Sequence, residues 1–203
     1  MPCLWILGEA KSGKSELAEE IFARLPGVKL YIGTLPRTPE NLATIEKHAE
    51  RRPDDWHLVE VSTSLTPACD WLRARAGEVC VLLDGWGVYA GARACRWLAG
   101  HDTPIEAGLE AFADEVVAEY RRLAEAAAYL IVVAHVAARF PASDELAEDP
   151  ARALVRAATY RCMSQAEEVI YHDAASVSHE DEEFVEAMAA RLRGLHGTTS
   201  AAR

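Results

Sequence analysis

Three short unbroken apolar runs, Cys3–Leu7, Val79–Leu83 and Tyr129–Ala134, punctuate the chain. Runs of this length without polar alternation are the signature of strands buried on both faces, as in parallel sheets. Val28–Ile32 and Val169–Tyr171 read as further strands, and His57–Val61 alternates in the manner of a half-buried one. Between them the period changes to that of helices. Lys14–Leu25 carries Leu17, Ala18, Ile21, Phe22 and Leu25 on one face and stops at Pro26-Gly27. Asn41–Arg51 is a polar helix closed by Pro53, and Leu65–Ala76 is another helix. Val88–Leu98 and Ile105–Ala128 follow, the second with Leu109, Phe112, Val116, Val117, Tyr120 and Leu123 in register. Arg139–Asp149, between Pro141 and Pro150, reads as a loop. Pro150 then opens a helix reaching Gln165, and Glu180–Leu195 is a charged helix before a disordered tail, Gly197–Arg203.

Strands alternating with helices predict an α/β protein of three layers, a mostly parallel sheet covered on both faces. The expected division is a nucleotide-binding domain over 1–175 and a C-terminal helix and tail over 176–203. With 203 residues the chain suits one core.

The first strand ends in Gly8-Glu9-Ala10-Lys11-Ser12-Gly13-Lys14-Ser15, a full match to G-x-x-x-x-G-K-[ST]. The glycines let the backbone curl so that several amides point at phosphate oxygens. Lys14 brings a cation to the β- and γ-phosphates, Ser15 offers a hydroxyl to Mg²⁺, and the following helix adds its positive end. A chance match arises on the order of once per hundred chains of this length; the strand before and the helix after make this a phosphate loop for ATP or GTP. Such proteins hold Mg²⁺ through an acid at the end of another buried strand. Asp84, directly after Val79–Leu83, fits that role; the other reading is an acid capping the Gly85–Gly87 turn.

Charge narrows the partners. The 32 acidic residues outnumber 21 Lys and Arg, and a net charge of −11 argues against nucleic acid or an anionic membrane surface. No apolar run is long enough to span a bilayer and no signal peptide is evident, so a cytoplasmic enzyme is expected. The five cysteines are scattered without Cys-x-x-Cys spacing, which suits reduced core thiols.

Beyond the loop, Leu30-Tyr31-Ile32-Gly33-Thr34, the segment Ile45-Glu46-Lys47-His48-Ala49-Glu50-Arg51-Arg52-Pro53, and Trp56 with Glu60 form a distinctive set. With these the chain resembles the bifunctional adenosylcobinamide kinase / adenosylcobinamide-phosphate guanylyltransferase enzymes of cobalamin synthesis. The resemblance implies that His48 is the nucleophile accepting GMP from GTP. It also implies that Gly33, Thr34, Arg51, Arg52 and Glu60 lie at the nucleotide, that a cobinamide-like small molecule is the acceptor, and that the protein forms homo-oligomers, commonly trimers. From spacing alone His48 would be an exposed histidine on a polar helix. The helices Val88–Leu98 and Ile105–Ala128 suit either a subunit contact or an ordinary core.

The chain departs from the family pattern in its second half. Asp84-Gly85-Trp86-Gly87-Val88 replaces a Cys- and Thr-containing stretch, and His135-Val136-Ala137-Ala138 replaces Asn-Glu-Val-Gly. Ala151-Arg152-Ala153 and Thr159-Tyr160 stand where Phe-Arg-Asp and Asn-Gln occur. Two other functions therefore stay open: a P-loop kinase for a different small molecule, and a nucleotide-binding paralogue with a regulatory role. His135, at a strand end, is either a substrate contact or a hydrogen-bonded structural residue. His57, His101, His172, His179 and His196 read as surface residues.

Overall fold

A computed structural model of the chain describes residues 2–101, 105–135, 149–172 and 181–200. Six strands form one sheet: β1 (Cys3–Gly8), β2 (Val28–Gly33), β3 (His57–Glu60), β4 (Val79–Asp84), β5 (Tyr129–His135) and β6 (Glu168–His172). Their order is β3-β2-β4-β5-β1-β6, and every pairing is parallel. The helices are α1 (Lys14–Ala23), α2 (Pro39–Arg51), α3 (Thr66–Arg73), α4 (Trp86–Gly100), α5 (Ile105–Ala126), α6 (Pro150–Met163) and α7 (Glu182–Ser200). The predicted three-layer α/β architecture is the one observed.

Alternation along β1 shows how the layers arise. Cys3, Trp5 and Leu7 enter one core with residues of α3, α4, α5 and α6, whereas Leu4 and Ile6 enter the other with α1 and α7. Both faces of the strand are therefore apolar, which is why its sequence is unbroken. Burial pushes the Cys3 thiol up to about 12 and the Cys80 thiol to about 11, so both remain inert thiols packed as small hydrophobes. The apolar stripes of α4 and α5, with Tyr89, Trp97, Phe112 and Tyr120, are buried in the chain's own core.

Several bounds shift for local reasons. α4 begins at Trp86, not Val88, because Gly85 takes a left-handed conformation (φ 90°) and caps it. α2 begins two residues early, at Pro39, whose fixed φ suits a first helical turn. Residues 197–200, assigned above to a tail, continue α7. Its docked residues Val185, Met188, Ala189 and Leu192 nucleate a helix that propagates past Gly197, a residue costing only about 1 kcal/mol. The tail residues 201–203, the 139–148 part of the expected loop, positions 136–138, His179 and Glu180 lie outside the described residues. Asp149, at the end of that loop, caps α6 by accepting from the Arg152 amide at 3.0 Å. Among the described residues no helix is long and apolar enough to cross a membrane.

Candidate active site

Parallel strands end together, so their C-terminal residues collect along one edge. Gly8 is in register with His135 and His172, Gly33 with Asp84 and Glu60, and Asp84 with Val133. β1 and β2 follow one another in the chain through α1, yet β4 and β5 lie between them in the sheet; such a crossover opens a crevice above the strand ends.

The loop from Gly8 to Ser15 curls over this edge. Gly13 caps α1 with φ 87°, and Lys11 is a non-glycine residue at φ 60°. A Cβ on Gly8 would lie 2.6 Å from Ser12 Oγ and 2.7 Å from the His172 carbonyl oxygen, so only glycine lets the loop fold this tightly. No side chain caps the start of α1, which leaves its first-turn amides open to an anion. Ser12 Oγ is buried and, among the described residues, has no hydrogen-bond partner. An orphan hydroxyl donor beside uncapped amides suits a phosphate oxygen. Lys14 Nζ donates to the Glu9 carbonyl at 2.9 Å. Burial lowers its pKa, with Asp84, Glu16 and Glu9 opposing.

Ser15 Oγ donates to Asp84 Oδ1 at 3.1 Å, and the Tyr31 hydroxyl donates to Oδ2 at 2.6 Å. A serine hydroxyl and a carboxylate in contact at the mouth of this loop are hard oxygen donors of the kind Mg²⁺ takes, so these residues fit that ion. A second group, Glu19, His48 and Asp84, offers three ligand atoms within 4.8 Å of one another. That group is less suited to a cation, because Arg51 already occupies it. Its Nε and NH2 donate to Glu19 at 2.8 and 3.2 Å, its NH1 donates to Glu16 at 2.9 Å, and NH2 lies 3.1 Å from His48 Nδ1.

His48 and Arg51 both come from α2, a helix with no buried residue. Polar contacts hold it over the loop. In addition to the Arg51 bonds, the Arg52 guanidinium stacks 4.5 Å from the Tyr31 ring centroid and donates to the His48 carbonyl at 3.1 Å. Burial would raise the Glu19 pKa, yet hydrogen bonds from His48 and Arg51 and the Arg51 charge bring it below the ordinary carboxylate range. Burial, together with the Asp84 charge, pushes the Tyr31 phenol far up, so it stays a donor.

Two recesses meet at His48. One, of about 860 Å³, is lined by loop residues Lys11 to Glu16 and by Ala43, Thr44, Lys47, His48 and Arg51. The other, of about 320 Å³, lies over the strand ends and includes Tyr31, Leu58, Glu60, Asp84, Val133 and His135. Lys14, Ser15 and His48 border both.

The structure therefore brings the loop, Asp84, His48, Arg51 and Arg52 to one place. Gly33 and Thr34 line the smaller recess, where Thr34 Oγ1 donates to the carbonyls of Asp84 and Gly85 at 3.0 and 2.9 Å. Glu60 is at its rim, paired with Arg37 at 2.8 Å. His135 Nε2 lies 3.4 Å from Glu9 of the loop. His172, read above as a surface residue, is 4% exposed, because β6 carries it beneath the loop against Gly8. Glu16, Glu19 and Tyr31 were missed as site residues. Glu19 had one visible signal: an acid inside the apolar stripe of Leu17, Ala18, Ile21 and Phe22.

Two of the positions set apart in the sequence, Trp86 and Thr159, touch each other. The Trp86 indole donates to Thr159 Oγ1 at 2.8 Å inside the core, so these positions serve packing. Tyr160 is exposed. The model of the cobinamide kinase / cobinamide phosphate guanyltransferase family matches residues 4–171. A search of curated proteins gives no match.

Proposed function

Because the chain belongs to the cobinamide kinase / cobinamide phosphate guanyltransferase family, we propose that it runs both halves of that chemistry at the junction of the two recesses. In the first, the loop holds a nucleoside triphosphate, ATP or GTP, and the γ-phosphoryl group passes to a cobinamide-type alcohol. In the second, His48 attacks the α-phosphorus of GTP, pyrophosphate leaves, and the GMP held on His48 passes to the phosphate just made. The observation that carries this reading is that His48 borders both recesses together with Lys14 and Ser15.

Each role follows from position. The loop amides and Ser12 Oγ bind phosphate oxygens. Lys14, released from the Glu9 carbonyl, neutralises charge on the β- and γ-phosphates, and so assists pyrophosphate departure as well as phosphoryl transfer. Ser15 and Asp84 would hold Mg²⁺, which supplies further charge neutralisation. Arg52 and Glu60, with Gly33 and Thr34, bound the space for the rest of the nucleotide and the acceptor. The same reading carries a homo-oligomer in the cytoplasm.

The test uses GTP labelled at the α-phosphate, incubated with the protein and Mg²⁺ before denaturation. The expected result is acid-labile, base-stable label on the wild type and none on His48→Ala. An unlabelled wild type removes guanylyl transfer; ATP-dependent phosphorylation of cobinamide, followed separately, tests the kinase half.

A further inference from the structure

The His48 ring is held from one side. Among the described residues its hydrogen-bonding contacts are all made through Nδ1, which lies 3.2 Å from Glu19 Oε1, 3.5 Å from the Tyr31 hydroxyl and 3.6 Å from Asp84 Oδ2. The fourth neighbour is Arg51 NH2 at 3.1 Å. Where the imidazole carries its proton depends on which of these win. Tyr31 gives its own proton to Asp84, which leaves its oxygen free to accept. Nδ1 therefore faces three oxygen acceptors, two of them carboxylates. Its single donor neighbour already donates to Glu19 Oε1 at 3.2 Å. The balance favours a hydrogen on Nδ1.

We infer that Glu19 is a positioning residue whose carboxylate keeps the proton on His48 Nδ1, so that Nε2 presents its lone pair to the α-phosphorus. This rests on His48 being the nucleophile, as proposed above. Glu19 is fitted to the task by its own restraint. It projects from α1, the helix that begins at the phosphate loop, and its side chain is only 10% exposed. Arg51 grips both of its oxygens and is itself anchored on Glu16. The carboxylate thus has a fixed place relative to the phosphates, although His48 comes from a different helix.

The step balances without moving that proton. The Nε2 lone pair forms the N–P bond, the bond from the α-phosphorus to the bridging oxygen breaks, and pyrophosphate leaves with the electron pair. The ring then carries a formal positive charge, faced by Glu19 and Asp84. In the second step an oxygen of the acceptor's phosphate bonds to phosphorus and the N–P pair returns to Nε2. His48 ends neutral, with its hydrogen still on Nδ1. With the proton on Nε2 instead, the only lone pair would point into the Glu19–Asp84–Arg51 cluster, away from any substrate.

Two measurements on the full chain test this. Nitrogen NMR of ¹⁵N-histidine-labelled protein, with His48 assigned by its loss in His48→Asn, should show Nδ1 protonated and Nε2 bare in the wild type. In Glu19→Gln the proton should be shared between the nitrogens. In single-turnover labelling with α-labelled GTP and Mg²⁺, Glu19→Gln should form the His48 adduct roughly 10–100-fold more slowly, the usual cost of removing a group that orients a reacting one, with GTP affinity within about twofold of wild type. A merely structural role would not move the tautomer. An Nε2–H ring in the wild type, or labelling of Glu19→Gln at the wild-type rate, overturns the positioning role and leaves His48 as nucleophile. Absence of label from the wild type instead overturns the nucleophile reading, and the catalytic meaning of the contact with it. The wild-type spectrum needs no Glu19 variant, so the inference stands or falls even if Glu19→Gln does not fold.

Discussion

Replacing Arg51 by alanine removes three hydrogen bonds, at 2.8, 2.9 and 3.2 Å, that join α2 to Glu16 and Glu19 of α1. The loss is unequal at its two ends. Glu16 is 27% exposed and water can replace much of what it loses, whereas Glu19 is 10% exposed and is left as a charge facing Asp84. Breaking a fully buried pair from one side costs about 3–5 kcal/mol, and exposed pairs contribute about 0–1 kcal/mol. Arg51 itself is 25% exposed, so about 2 kcal/mol is the expected loss at neutral pH. At about 2–4 °C per kcal/mol for a chain this long, the melting temperature should fall by about 4–8 °C. Urea unfolding followed by tryptophan fluorescence is a direct assay, since Trp5 and Trp86 are fully buried.

The pH dependence carries the sign. In the wild type the Glu19 pKa is depressed, so its stabilisation is present above the unfolded carboxylate value of about 4.3 and is lost as pH falls through the lower folded value. Without Arg51, burial pushes Glu19 upward, and acidification relieves the variant by protonating it. The gap between the two proteins should be widest near neutrality and narrow through the carboxylate range. A loss below about 0.5 kcal/mol, a gap that widens with acid, or strict additivity of Arg51→Ala with Glu19→Gln would refute the reasoning.

Three further outcomes are expected. Gly8→Ala forces a methyl group against Ser12 Oγ and the His172 carbonyl, and should destabilise by about 1–3 kcal/mol. Gly87→Ala, with nothing within 4 Å of its Cβ, should stay within about 1 kcal/mol of wild type in the same denaturant titration. Asp84→Asn should slow guanylylation about 10–100-fold and raise the Mg²⁺ concentration needed for half-maximal rate; an unchanged Mg²⁺ titration would remove Asp84 as a metal ligand.

The sequence made the sheet legible wherever strands are buried on both faces. β1, β4 and β5 each lie within a residue of the predicted runs, because a strand covered by helices must be apolar throughout. The Gly8–Ser15 motif was equally plain, since it lies in eight consecutive residues. The strand order was not readable, because pairing depends on contacts between segments distant in the chain. For the same reason Glu19, Tyr31 and the orientation of the His48 ring were hidden. Their meaning arises only when α1, α2, β2 and β4 converge, and no spacing within any one of them announces it. Trp86 and Thr159 look like two unrelated departures until the indole is seen donating to the hydroxyl.

The segment that carries the proposed nucleophile is fastened unlike the rest of the molecule. Because α2 buries no residue and adds none to either hydrophobic core, much of the resistance to swinging it outward comes from the guanidinium and carboxylate contacts of Arg51 with Glu16 and Glu19. Moving this arm therefore need not loosen the sheet. Local opening of this arm should therefore cost less than unfolding of the body, with amide exchange over 39–51 faster than that of the sheet.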